Sequence, residues 1–423
     1  MKEIELTSLD IKLYTETLDN GLDVYLIPYD NKNNYFMTYA TKFGSDVLKF
    51  DYEKEEYTPP LGIAHFLEHK MFETESGIDP FTFFSESGTD GNAMTTYDNT
   101  KYICSGTKNF EENLNFLIDF VNEPYFTDEN VEKEKGIIAE ELKMYDDIPD
   151  YKMEMRLREN VYINHSRKYD IGGSVEEIYK ITKEDLYKCY NSFYTPNNMF
   201  ILILGNMDVE KTIEMIKNKT KKLKSKELPK IIKQEEPARV SKKEDTFYDS
   251  IEIPKVAIGI KIPKSKLKLK SVELDLYLNM FTNIVFGSSS EFRERVRSEK
   301  LLNDIYTEWE DTNDFKTFYL FATTTSPSEL IEEIKYELDN KQVSTKAFER
   351  IKKVWIANEV KIVDNIERME NNIYDDIIKY NKVIDNRIEL IRKMEFKKLT
   401  KLLDDIDLSN ISILKVLSKE KSD

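Results

Sequence analysis

The chain has 423 residues, 40% of them apolar and 12% aromatic, with a formal net charge of −17. It can bury a core but is too long for one ordinary core, so two or more domains are expected. The acidic balance argues against nucleic-acid binding as a main role, because a phosphate backbone needs a basic surface. Residues 1–6 lack the apolar segment of a secretory leader, and no apolar run approaches a membrane span. Cys104 and Cys189 have no metal-ligand spacing and read as small buried apolar residues. A cytoplasmic globular protein without a membrane role is the expectation.

Two extended runs flank Asn20-Gly21, a hairpin signal, and residues 35–43 alternate like a strand. An acidic loop then leads to Leu61-Gly-Ile-Ala-His65-Phe-Leu-Glu68-His69-Lys-Met-Phe72. On a helix, His65, Glu68 and His69 share one face. Two neutral imidazoles aimed at one point can hold zinc, and a carboxylate beside them can take a proton from water. The order is H-x-x-E-H, which composition alone would give in roughly one such chain in several hundred. The plainer alternative is a helix with two satisfied histidines and a surface glutamate.

A Gly-rich turn at residues 87–91 precedes strands at 92–97 and 101–105, and residues 109–122 form an amphipathic helix. Thr127-Asp128 opens a further helix through Tyr145. On its wheel, Val131, Ile138, Leu142 and Tyr145 share an arc with Glu134 and Glu141, whereas Glu140 falls off it. Carboxylates on a buried face need partners, either a metal or a neighbouring Lys or Arg. A helical segment at 151–162 leads to His165, which has no ligand spacing and reads as structural. Thr182 with Asp185 resembles a capping box, and residues 199–204 read as a strand.

Lys-rich sequence with Pro229 and Pro237 marks a linker, dividing the chain into 1–222, a tether at 223–245, and 246–423. The second half repeats the first in order. A helix at 273–286 stands where the histidine helix stood, and a helix at 347–362 parallels that of Glu134 and Glu141. Helix 396–403 and strand 410–416 parallel residues 185–204. No histidine follows His165, so the repeat cannot rebuild the cluster.

Gly62-Ile-Ala-His65-Phe-Leu-Glu68-His69, Asn92-Ala93-Met-Thr95, Glu134 through Glu141, Gly172-Gly173 and Tyr194-Thr-Pro196-Asn-Asn-Met199 together resemble the inverzincins of the insulinase, pitrilysin and mitochondrial processing peptidase group. More narrowly, the chain is similar to their bacterial two-domain members. The resemblance implies an α+β fold of two homologous α/β-roll domains, each a mostly antiparallel sheet packed with helices. It implies a zinc peptidase that cleaves unfolded peptides in a clamshell chamber, in peptide turnover or leader-peptide processing. His65, His69 and Glu141 would bind Zn2+, Glu68 would be the general base, and Glu134 would support the site. Asn92 and Ala93 would hold the substrate backbone by strand addition. Active assemblies of the group carry an Arg followed seven residues on by a Tyr, which grip substrate. Here Arg297 fits, but Asp304 stands at the Tyr position and Tyr306 lies two residues beyond it. The resemblance therefore implies a heterodimer with a zinc-less family member, with a homodimer as the alternative. A non-catalytic peptide-binding subunit is the rival reading.

Overall fold

The computed structural model describes residues 1–6, 9–29, 32–269 and 271–419. Contacts group them into two compact units. The first comprises residues 1–143, 170–233 and 359–387. Its strands β1 (Lys2–Leu6), β2 (Ile11–Thr17), β3 (Asp23–Pro28) and β4 (Tyr35–Thr41) are followed by a small hairpin, β5 (Phe50–Tyr52) and β6 (Glu55–Tyr57). Helices α1 (Ile63–Met71) and α2 (Pro80–Glu86) precede the hairpin of β7 (Thr89–Thr95) and β8 (Thr100–Gly106). Then come α3 (Phe110–Asn122) and α4 (Asp128–Asp146). After α5 (Pro149–Val161), which belongs to the second unit, the chain adds α6 (Val175–Ile178), α7 (Lys183–Phe193), β9 (Met199–Gly205) and α8 (Val209–Thr220).

The sheet runs β1-β2-β3-β9-β4-β8-β7. Only the β3–β9 pairing is parallel, and β7 forms an open edge. Strands β4 and β9 are buried throughout, which requires cover on both faces. Met37, Tyr39, Ile201 and Ile203 face one way and pack with Phe66, Leu67, Leu117 and Leu186. Their alternates Phe36, Ala40, Phe200, Leu202 and Leu204 face the other way. They meet Ile366, Met369, Ile373, Tyr374 and Ile377, which come from far along the chain.

The second unit comprises residues 144–169, 234–358 and 388–423. It contains β10 (Glu244–Asp249), β11 (Lys255–Pro263), α9 (Ser271–Phe286), α10 (Glu291–Ser298), β12 (Asp304–Asp311) and β13 (Phe315–Thr323). Helices α11 (Pro327–Asn340) and α12 (Thr345–Lys361) follow; then α13 (Ile366–Tyr380) supplies the apolar cover just described to the first unit. Helices α14 (Arg387–Arg392) and α15 (Phe396–Asp405) and strand β14 (Ile411–Ser418) complete the chain. The sheet order β10-β14-β11-β13-β12 matches β3-β9-β4-β8-β7 term by term, with the parallel pair in the same place. The repeat legible in the sequence is therefore a repeat of topology, and the fold is α+β.

The exchange of helices is reciprocal. Met153, Leu157, Val161 and Tyr162, on and just after α5, cover Ala257, Tyr319, Leu414 and Val416 in the second unit, as α13 covers the first. Helix α8 ends at Thr220, just before the Lys-rich stretch that reads as tether. Among the described residues no helix is long and apolar enough to cross a membrane.

Glu310 on β12 is buried with Arg158 and Arg167 and shows how a charged strand enters this core. Its carboxylate accepts from Arg158 Nη1 at 2.5 Å and the Tyr162 hydroxyl at 2.8 Å, and Arg167 Nη1 lies at 3.2 Å. Burial works against the anion, but the two guanidinium groups win and hold its pKa at about 2, below the ordinary 4.5. A depressed folded-state pKa stabilises above the unfolded value and loses that contribution as pH falls from about 4.5 to about 2. Glu310→Gln should lower stability at neutral pH by about 3–5 kcal/mol, because two buried cations lose their counter-charge. Urea unfolding at pH 7 and pH 3 checks this. The variant's stability should fall less than the wild type's between those pH values.

Candidate metal centre

Helix α1 starts at Gly62, whose φ of 85° suits glycine. A Cβ there would lie 2.2 Å from the Gly172 carbonyl oxygen, so the two segments approach as closely as glycine allows. Ile63, Phe66, Leu67 and Lys70 form the buried stripe of α1 at helical spacing, which leaves His65, Glu68 and His69 partly exposed on another face. Helix α4 presents Glu134 buried and Glu141 partly buried, with Glu140 in solvent, as the wheel predicts.

These elements bring His65, His69 and Glu141 together, with one ligand atom from each within 4.8 Å of the others. His65 Nε2 lies 4.0 Å from Glu141 Oε1, and His69 Nε2 lies 3.5 Å from Glu141 Oε2. Ligands about 2.0–2.2 Å from a tetrahedral zinc lie about 3.3–3.6 Å from one another, so the donor set fits that ion after a modest closure. Three protein ligands also leave a position open, as catalytic rather than structural zinc sites do. Burial, then neighbouring His69, pushes the His65 pKa down to about 3, so its imidazole stays neutral and keeps a lone pair for a metal. Its other ring nitrogen, Nδ1, is buried without a hydrogen-bond partner among the described residues.

His69 is held from behind. Its Nδ1 lies 3.0 Å from Glu134 Oε1. Burial disfavours the His69 cation, but the Glu134 hydrogen bond and the charges of Glu68, Glu134 and Glu141 outweigh burial and raise its pKa. Glu134 itself stays ionised despite burial, through His69 and Lys70. Lys70 is fully buried, with Nζ 3.5 Å from Glu134 Oε2 and 2.9 Å from Glu73 Oε1. Sequence reading missed Lys70, although its signal is the place of a lysine on the apolar stripe of α1. Glu134→Gln should weaken zinc binding by about 10- to 100-fold, the usual effect of removing a partner that orients a ligand. A competition titration with a chromogenic chelator measures it.

Glu68 Oε2 accepts a 2.5 Å hydrogen bond from Thr95 Oγ1. Burial raises the Glu68 pKa, opposed by the Thr95 hydroxyl and the nearby His69. Asn92 and Ala93 lie on the edge strand β7, as the resemblance implies. Thr96 N donates to Asn99 O at 2.8 Å and Thr95 pairs with Thr100. That phase turns the backbone N–H and C=O of residues 91, 93 and 95 away from β8, toward the open edge. Ala93 N meanwhile donates to the Asn92 side chain at 2.8 Å. Arg297 belongs to the second unit, where it is exposed near the end of α10. His165 also belongs to the second unit and caps a single 3₁₀ turn.

The chain is 36% identical over 384 residues to the zinc protease YmfH of Bacillus subtilis, covering 88% of each protein. The chain belongs to the insulinase family of peptidases, M16. The family's own model, described as insulinase (peptidase family M16), matches residues 52–174, which hold the whole His65–Glu141 cluster. A second, described as the M16 inactive domain, matches residues 180–354, where no histidine occurs. An M16-like peptidase structure from Alicyclobacillus acidocaldarius is similar with a TM-score of 0.91 at 29% identity, covering 97% of this chain and 99% of that one. A Helicobacter pylori protease shares the fold at a TM-score of 0.84 and 20% identity, covering 96% of this chain and 99% of that one.

Proposed function

We propose that this M16 chain is the catalytic subunit of a zinc-dependent endopeptidase that cleaves unfolded peptides between paired subunits, in turnover or in removal of leader peptides. The observation that carries the reading is the convergence of two imidazole Nε2 atoms and the Glu141 carboxylate, with Glu68 alongside on the same helix. A zinc ion held by His65, His69 and Glu141 would supply Lewis acidity, bringing the pKa of water toward neutrality and polarising the scissile carbonyl. Glu68 accepts the proton of the attacking water and returns it to the leaving amine. Glu134 fixes the His69 ring. The open edge of β7 aligns the substrate backbone as an added strand, with Asn92 and Ala93 at its centre.

A zinc-less family member as partner is the second part of the proposal. It is supported by the state of the positions that would complete the Arg/Tyr pair. Asp304 is engaged by Arg293 at 2.9 Å, and the Tyr306 hydroxyl donates to Glu308 at 3.0 Å. Arg297 would then act without a tyrosine from its own chain. The test is cleavage of an internally quenched peptide by the chain alone and by the chain co-purified from its host. Activity should vanish with a chelator and return with zinc. Chelator-resistant cleavage, or none in either preparation, overturns the peptidase reading. Full activity from a homodimer overturns only the partner.

A further inference from the structure

Thr95 ends the edge strand β7, and its hydroxyl is directed at Glu68. Oγ1 donates to Glu68 Oε2 at 2.5 Å, while its next neighbour, Thr100 Oγ1, lies at 3.3 Å. The Thr100 hydroxyl donates to the Phe43 carbonyl at 2.9 Å, so its proton is committed elsewhere. Thr95 has one proton to give, and the short contact shows that Glu68 receives it.

The hydroxyl is also held in place. The turn after Thr95 is tied by Asp98 N and Asn99 N, both donating to Thr96 Oγ1 at 3.2 and 3.1 Å. It is clamped from outside by Ser45 N on Thr96 O at 3.1 Å and Asp46 N on Tyr97 O at 2.8 Å. Neighbouring Gly44 has no room for a side chain, since a Cβ there would lie 2.4 Å from Thr96 O. Thr95 is almost fully buried and Thr100 fully so. A hydroxyl fixed this firmly orients the carboxylate it touches.

We propose that Thr95 is the positioning residue for Glu68: its hydroxyl occupies Oε2, so that Oε1 is the oxygen that takes and returns the proton. This rests on the reading of Glu68 as proton acceptor. Oε1 gains the proton as the water O–H bond breaks and the water oxygen bonds to the scissile carbonyl carbon, and gives it to the leaving nitrogen as the C–N bond breaks. Without Thr95 the carboxylate can rotate, and a smaller fraction of encounters has Oε1 in reach.

The test compares Thr95→Val and Thr95→Ser in the zinc-loaded full-length chain, with its partner when one co-purifies, on an internally quenched peptide. Thr95→Val should lower kcat about 10- to 100-fold, the loss of one hydrogen bond to an ionised group. KM, zinc stoichiometry and melting temperature should stay unchanged, and Thr95→Ser should restore most of kcat. A Thr95→Val variant with wild-type kcat, while Glu68→Gln is inactive, overturns the proposal and leaves the peptidase reading standing. Loss of zinc or of thermal stability in step with kcat also overturns it, because a structural role would do that; if Thr95→Val does not fold, Thr95→Ala is judged by the same criteria. An active Glu68→Gln variant overturns both readings together.

Discussion

Glu68→Gln should lower kcat for peptide cleavage by about 10²–10⁴-fold while zinc content and melting temperature stay at wild-type values. The side chains are nearly identical in volume. The amide can still accept the Thr95 hydroxyl through its carbonyl oxygen, so the 2.5 Å contact survives the change. What is lost is the capacity to take a proton, because an amide is not a base at neutral pH. The measurement is steady-state cleavage of a quenched peptide beside metal analysis of the same sample. Cleavage within tenfold of wild type, with contaminating protease excluded, would remove Glu68 from the chemistry.

His65→Ala should abolish both metal retention and cleavage. It removes one of three ligands, and the loss in zinc affinity should exceed about 100-fold, the top of the range for an outer partner such as Glu134. Metal binding to the folded chain also stabilises it, by about 2.7 kcal/mol at a free zinc concentration of 100 times Kd. Wild-type protein should therefore melt higher with zinc than with a chelator, and His65→Ala should melt at the same temperature in both. Glu141→Gln should behave like His65→Ala, although Glu141 lies on α4 and far away in sequence. A zinc-dependent melting temperature in either variant would show that the ion is held by other residues.

The convergence of these side chains was legible in the sequence because helical spacing converts directly into geometry. His65, Glu68 and His69 had to share a face, and the wheel of α4 separated Glu134 and Glu141 from Glu140. Thr95 was not legible as a partner of Glu68. Its place depends on the phase of β7 against β8 and on how α1 lies over that hairpin. Neither is written in the residues around Thr95.

The same divide applies to the fold. The apolar run from Phe200 to Leu204 shows that both faces of β9 are covered, but not by what. Residues 366–380 carry their apolar positions among many charges, and no rule of spacing assigns them to a sheet built from the first half of the sequence. Strand β12 was hidden for a related reason. Its Glu310 can be buried only because Arg158 and Arg167 arrive from around α5 to neutralise it.

The reciprocal exchange of α5 and α13 governs how the protein must be made. Synthesis runs from the N-terminus, so all strands of the first unit's sheet leave the ribosome before α13 does. Throughout that interval Phe36, Phe200, Leu202 and Leu204 have nothing from α13 above them. The nascent protein thus carries a sticky apolar surface late into translation, the condition under which chains aggregate or recruit chaperones. Severing the tether in a finished molecule is a different event from expressing its two pieces separately, because neither piece made alone contains the helix that closes its own sheet.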